Sequence, residues 1–345
     1  MHSIQYLDIQ ENISLKSYNT FHLDSVAKYF VEITDTVELP LLLEHERFKE
    51  GKHLVIGGGS NILLISEVFD GLVIKNNITG KMIEKEDEDH VWLKIQAGEI
   101  WHEVVTYCVE NGWGGIENLA LIPGCVGAAP IQNIGAYGVE LKDVFESAEF
   151  FNFEDHTNKT YHSNDVKFGY RDSIFKHKLK GKGIITSVTL KLDKQPAVNT
   201  AYGAIQEVLN LRGIDRPVIK DVYHAVIDIR SSKLPDPKEI GNAGSFFKNP
   251  ELPNDIAEEI FFTHPNAPRY TVDEHTIKIP AGWMIEQCGW KGFMDGDIGV
   301  HDKQALVLVN KGKGRGEQLE QLAQKIQNSV MEKFGVKLTP EVNFV

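Results

Sequence analysis

The chain has 345 residues, more than a single core usually organises, and its 36 Lys and Arg stand against 49 Asp and Glu for a formal net charge of -13. That balance argues against nucleic acid as a partner, since phosphate binding needs a basic face. Hydrophobic residues make up 42%, enough for globular folding, yet no apolar run is long enough to cross a bilayer. Cys108, Cys125 and Cys288 lie too far apart in sequence to suggest a disulfide framework or a close-spaced zinc site. The polar opening Met1-His2-Ser3-Ile4-Gln5 lacks the basic and apolar parts of a secretion signal, so a reducing cytoplasm is the expected compartment.

In chain order, His53-Leu54-Val55-Ile56 reads as a short buried strand running straight into Gly57-Gly58-Gly59-Ser60-Asn61. A glycine loop after a strand is a candidate phosphate cradle. It is not the fingerprint of a simple nicotinamide dehydrogenase, because Ile62 falls where the third glycine belongs, and no Lys-Ser or Lys-Thr pair follows as in a P-loop. Leu72-Val73-Ile74 and residues 91–95 read as strands flanking the acidic run 84–89, a solvated hairpin tip. Trp101, Val104, Val105 and Cys108 recur at helical spacing up to Asn111-Gly112, which makes Cys108 a core residue rather than a catalyst.

Residues 117–138 are rich in small side chains and nearly uncharged. Such a segment suits laying backbone amides against a flat ligand and its phosphates; the alternative is a Gly/Ala turn packed on a sheet. Residues 150–153 and 183–190 read as strands, and Val222, Ala225, Val226 and Ile229 mark one face of a helix ending before Lys233-Leu234-Pro235-Asp236-Pro237, a plausible domain border. Residues 241–250 place one hydroxyl, Ser245, among glycines, two phenylalanines, an amide and a cation. Glycines allow close backbone approach and the phenylalanines would shield the hydroxyl from water; alternatively the loop is a tight turn before a helix with Ser245 as its cap. Residues 305–309 read as a buried strand, and Leu319, Leu322, Ile326 and Val330 as the stripe of a helix. His264, His275 and His301 lack metal-site spacing, and no metal is expected.

Read together, residues 57–61, residues 117–138, Phe168-Gly169-Tyr170-Arg171-Asp172-Ser173-Ile174-Phe175, residues 241–250 and Leu338-Thr339-Pro340-Glu341-Val342 closely resemble the UDP-N-acetylenolpyruvoylglucosamine reductase family, in the family's order and over nearly the whole chain. The resemblance implies an α+β chain with a vanillyl-alcohol-oxidase-type, two-part FAD-binding domain and a C-terminal α/β substrate-binding domain. The expected divisions are 1–77 for the first FAD subdomain, completed by a terminal strand at 338–345, 78–232 for the second, and 233–337 for the substrate domain. Ala201-Tyr202-Gly203 matches the extra loop of the family's long type, whose tyrosine folds over the uridine nucleotide. Gly58 departs from the pattern where glutamate is common, and Ala128-Ala129 where Ser-Ser or a similar small pair is common.

The resemblance further implies non-covalent FAD, with NADPH as reductant and a UDP-sugar as substrate. The expected FAD contacts are Gly57, Gly58, Gly59, Ser60 and Asn61 in the first loop, and Ile122, Pro123, Gly124, Gly127, Ala128, Gln132, Asn133, Gly135, Ala136, Tyr137 and Gly138 in the second segment. Arg171 is the expected carboxylate fork, Ser245 the proton donor and Glu341 the second catalytic group, with Tyr202, Lys233, Lys248 and Asn249 as substrate contacts. A monomer without nucleic-acid or membrane partners is expected. Two rivals stand beside this reading. A flavin oxidase of small alcohols on the same fold often carries an attachment histidine in the first glycine loop, and residues 57–61 contain none. A non-catalytic sugar-nucleotide binder would have little reason to keep Ser245, Arg171 and Glu341 together.

Overall fold

The computed structural model describes residues 7–345; the opening Met1-His2-Ser3-Ile4-Gln5 lies outside the described residues. The chain forms two compact units. The first comprises residues 7–13, Ala27–Gly58 and Asp70–Ser232, and the second comprises Ser14–Val26, Gly59–Phe69 and Lys233–Val345.

The first unit is built on two sheets. One is four-stranded, in the order Gln10–Ser14, Val26–Ile33, Val68–Asn76, His53–Ile56, the last two parallel. The other is five-stranded and antiparallel, in the order Asn158–His162, Phe145–Asn152, Gly183–Asp193, His90–Gln96, Lys81–Glu86. Its central strand Gly183–Asp193 is buried along nearly its whole length, as an apolar run closed on both faces should be. The edge strand Lys81–Glu86 is exposed throughout, so the acidic run is only partly a hairpin tip. Its first acids lie in the strand itself, where charge blunts an open sheet edge.

The helix Trp101–Glu110 buries Trp101, Val104, Val105 and Cys108 against this second sheet's core, and burial pushes the Cys108 thiol up to about 12. Ile184, Phe151 and Phe153 pack with Val31, Ile33, Leu72 and Ile74 in one core, and the Asn76 Nδ2 donates to the Ile185 carbonyl at 2.8 Å. The division expected at 77/78 therefore falls inside the first unit, where side chains from both sheets share a core. The helix Ile219–Lys233 runs four residues beyond Ile229, taking in Lys233 rather than stopping before it, and ends where the units divide.

In the second unit, the strands Gly241–Ser245, Val307–Asn310, Ile298–Val300 and Met294–Asp295 form an antiparallel sheet in that order. The helix Gly316–Phe334 covers it, burying Leu319, Leu322, Ile326 and Val330. A small sheet of Glu251–Pro253, Thr276–Lys278 and Tyr270–Thr271 with the helix Asn254–Thr263 completes this part, and carries no strong periodicity in sequence. The terminal strand Asn343–Phe344 pairs in parallel with Ile62–Leu63, also in the second unit. Val345 closes the pairing: its N–H donates to Leu63 at 2.9 Å, and its carbonyl accepts from Ile65 at 2.9 Å.

Candidate active site

In the first unit the two small-residue segments meet backbone to backbone. A Cβ on Gly58 would lie 3.0 Å from the Gly124 Cα, and one on Gly57 3.2 Å from the Cys125 Cβ. A side chain at Gly58 would therefore fill the approach between two strips of backbone amides. Residues 124–127 are stitched to the preceding turn by three bonds: Trp101 N–H to the Gly124 carbonyl at 3.0 Å, Val126 N–H to Glu99 at 2.9 Å and Gly127 N–H to Ala97 at 2.9 Å. Gly127 thus packs on Ala97, a structural placement. The 3-10 helix Val126–Gln132 then ends in left-handed Asn133.

Asn133 is fully buried and spends its amide on scaffold: Nδ2 donates to the Gly169 carbonyl and the Glu140 carboxylate, each at 3.1 Å, and Oδ1 accepts from Lys142 N–H at 3.0 Å. It positions its neighbours. The hairpin of Gly135–Ala136 and Val139–Glu140 is closed by Tyr137 and Gly138, both at positive φ as a tight two-residue turn demands.

Arg171 stands at the tip of another tight turn. Gly169 and Asp172 exchange backbone bonds at 3.0 and 3.2 Å, leaving Tyr170 and Arg171 between them, with Arg171 at φ 52. A non-glycine residue held left-handed costs free energy that the surrounding structure must offset, a pattern found at functional sites. The guanidinium is braced by the Asn133 carbonyl at 3.4 Å and the Gly135 carbonyl, while the Asp172 carboxylate pairs with His177 at 2.6 Å. Backbone carbonyls thus help to orient the planar Arg171 fork.

In the second unit, Ser245 ends a strand. Between the pairs Asn242↔Val309 and Ser245↔Val307 the strand carries one extra residue, a β-bulge at Ala243-Gly244. Gly244 takes φ 67, which a Cβ would strain, and its N–H is held by the Asn242 Oδ1 at 2.9 Å. No helix begins here, and the Ser245 hydroxyl makes no hydrogen bond among the described residues, so it is not a cap. Nor do the phenylalanines screen it: Ser245 is exposed, whereas Phe246 and Phe247 are 1% and 0% exposed, Phe246 packing edge-on to Phe21 and Phe344. They are anchors, and removing a buried phenylalanine typically costs about 3–5 kcal/mol.

The residues after Ser245 clasp the tail. Glu341 N–H donates to the Phe246 carbonyl at 2.8 Å, Lys248 N–H to Thr339 at 2.9 Å, and Phe247 bridges Pro340 in antiparallel fashion. Asn61 reaches the same tail, its Nδ2 donating to the Glu341 carbonyl at 3.2 Å and its own carbonyl accepting from Asn343. Ser60 and Asn61 thus lie with the Glu341 tail in the second unit, while Gly57 and Gly58 belong to the first. Gly59 sits against Tyr18, where a Cβ would collide with the Tyr18 carbonyl at 1.9 Å.

Tyr202 caps the helix Gly203–Leu211 and is 43% exposed, its ring packed edge-on to Tyr137 at 5.1 Å. Asn118 ties the same region together, its Nδ2 donating to the Tyr137 and Asn199 carbonyls at 3.0 Å each. Lys233 is exposed at its helix end and Lys248 is partly buried, while Asn249 spends its carbonyl on Ala281 N–H at 2.9 Å, at the start of the helix Ala281–Gln287. Three polar residues escaped the sequence reading: Asn118, Asn242 and Arg230. Arg230 had a visible signal, since Val222, Val226 and Arg230 recur four apart and set a cation on an apolar stripe.

Two family models match separate parts of the chain. An FAD binding domain matches residues 27–157, and the UDP-N-acetylenolpyruvoylglucosamine reductase C-terminal domain matches residues 236–345. The reductase from Flavobacterium johnsoniae is 48% identical over 340 residues, covering 98% of this chain and 100% of that one. The one from Amoebophilus asiaticus is 50% identical over 341 residues, with 98% and 100% covered. The fold is that of the reductase structure from Thermus caldophilus, at a TM-score of 0.70, 23% identity, and 98% and 99% coverage. Matched from end to end by such relatives, the chain belongs to the UDP-N-acetylenolpyruvoylglucosamine reductase family.

Proposed function

We propose that the chain reduces the enolpyruvyl ether of UDP-N-acetylenolpyruvoylglucosamine to UDP-N-acetylmuramate for peptidoglycan synthesis, with NADPH as reductant and FAD as intermediary. The observation that carries it is the clasp of residues 246–248 on residues 339–341, which holds the Ser245 loop and Glu341 as one backbone unit. An anaerobic titration tests it: NADPH should bleach the flavin, and the enolpyruvyl sugar nucleotide, added next, should restore its colour. A flavin that stays bleached would end this reading.

The residues present fit FAD. The close backbone approach of Gly58 to Gly124 and Cys125 leaves main-chain groups rather than side chains facing the space between the two segments. FAD, when bound, would supply the hydride chemistry that links NADPH to the substrate alkene. The protein's part is positioning and electrostatics. Arg171 receives the substrate carboxylate, and its permanent charge meets the negative charge that grows there during hydride addition. Ser245 delivers the proton to C2, its hydroxyl uncommitted to the fold and so available to give one. Glu341 meets the same developing charge as an acid or through water. Lys233, Lys248 and Asn249 contact the diphosphate or the pyruvyl group. Tyr202 covers the nucleotide. The two sheets of the first unit would serve as the two parts of the FAD-binding domain. No helix among the described residues is long and apolar enough to cross a membrane, and we place the enzyme in the cytoplasm as a monomer.

Two outcomes follow. Acid precipitation should release the flavin into the supernatant, because residues 57–61 offer no attachment histidine; colour kept in the pellet would favour an oxidase. Tyr202→Phe keeps the ring packed on Tyr137 and removes only the hydroxyl. Its KM for the sugar nucleotide should rise about 3–10-fold, the worth of one hydrogen bond, with flavin reduction by NADPH unchanged. An unchanged KM removes the lid assignment.

A further inference from the structure

Arg230 is a cation short of partners. Its Nη2 donates to the Leu121 carbonyl at 3.3 Å and it hydrogen-bonds the Tyr137 side chain, but its Nε is shut off from solvent with no partner. Among the described residues it forms no ion pair. The charged group it feels is instead Arg171, a second cation, and both burial and Arg171 press its pKa downward. His102 lies in the same field: its Nδ1 accepts from Leu121 N–H at 3.1 Å, and burial, then Arg230, hold its pKa down. Burying a positive charge without a counter-charge is costly, so an arrangement like this is expected where an electron-rich ligand completes it.

The side chain is not wholly enclosed; part of it remains accessible. Both of its protein partners, Leu121 and Tyr137, lie in the segment assigned to FAD, and Leu121 immediately precedes the strip 122–124 beside Gly58. We infer that Arg230 is a positioning residue for the flavin, its charge facing the bound FAD and favouring the electron-rich reduced state over the oxidised one. This rests on assigning residues 117–138 to FAD. Arg171 is thereby left to the substrate carboxylate, so the two cations serve different charges.

The test is the midpoint potential of bound flavin, measured in the holoenzyme without substrate by equilibration with a reference dye. It compares the parent with Arg230→Met, which removes the charge at similar bulk, and Arg230→Lys, which keeps it. The reduced-to-oxidised ratio at fixed dye should fall about tenfold in Arg230→Met, a potential lower by about 30 mV for a two-electron couple, and Arg230→Lys should stay within about threefold of the parent. If Arg230→Met retains no flavin, Arg230→Gln replaces it. Loss of FAD from both neutral variants but not from Arg230→Lys would also support the inference. A role confined to bracing Leu121 and Tyr137 predicts equal damage in all variants and an unchanged potential, and either result overturns it. So does an unchanged potential with a raised KM for the sugar nucleotide, which would give Arg230 to the substrate. Failure of the parent itself to hold FAD would instead sink the functional assignment.

Discussion

Ser245→Ala should leave flavin reduction by NADPH near the parent rate and slow flavin reoxidation by the enolpyruvyl sugar nucleotide about 10²-fold or more, the usual worth of a general acid. The asymmetry follows from where the hydroxyl stands. The bulge that presents it is made by backbone pairing with Val307–Asn310, by the Asn242 Oδ1 on Gly244 and by the buried rings of Phe246 and Phe247. None of these uses the serine oxygen, so alanine removes a proton donor without loosening the loop. A serine is a weak acid and must meet a strongly basic carbon to be useful, which confines its role to the step after hydride arrival. Stopped-flow measurement of each half-reaction decides the matter. Equal loss in both would mean that the substitution disturbs the fold or the cofactor, and the proton-donor role would have to be withdrawn.

Glu341→Gln should likewise keep its FAD and its rate of NADPH oxidation while substrate-driven reoxidation slows about 10²-fold or more. A glutamate four residues from the last residue would ordinarily be suspected of fraying. Here its N–H is bonded to Phe246 and its carbonyl to Asn61, and Asn343 and Val345 continue the attachment to Asn61 and Leu63. Because these holds are on backbone atoms, the amide variant occupies the same place and lacks only the acid. Reoxidation at the parent rate would show that Arg171 and Ser245 suffice, and the role given to Glu341 would fall.

Much of this was legible in sequence, for identifiable reasons. Strands such as 183–190 and the helix bearing Leu319, Leu322, Ile326 and Val330 announce themselves because burial on one or both faces imposes a period on the apolar residues. The edge strand Lys81–Glu86 is exposed throughout and imposes none. The small sheet around Thr276–Lys278 is too short to show a period. At the site, sequence marks residues whose chemistry is unusual, such as Ser245 among glycines. It does not mark those whose work is geometric. Asn242 looks like any loop asparagine until its amide is found holding the Ser245 bulge, and the Asn133 amide, expected at the FAD, is found on the Arg171 turn. The phenylalanines show a similar limit: adjacency in sequence suggests a screen, whereas the strand's end turns both rings into the core.

The parallel pairing of Asn343–Phe344 with Ile62–Leu63 has one more consequence, in the currency of insertions and deletions. A strand alternates its faces every residue, so a slip of one position would turn the whole tail over. The distance along the chain from Glu341 to Val345 is thus fixed by registration on a neighbour that is itself the continuation of the glycine loop. A residue added or removed between the Glu341 carboxyl and this anchor would carry Glu341 out of place.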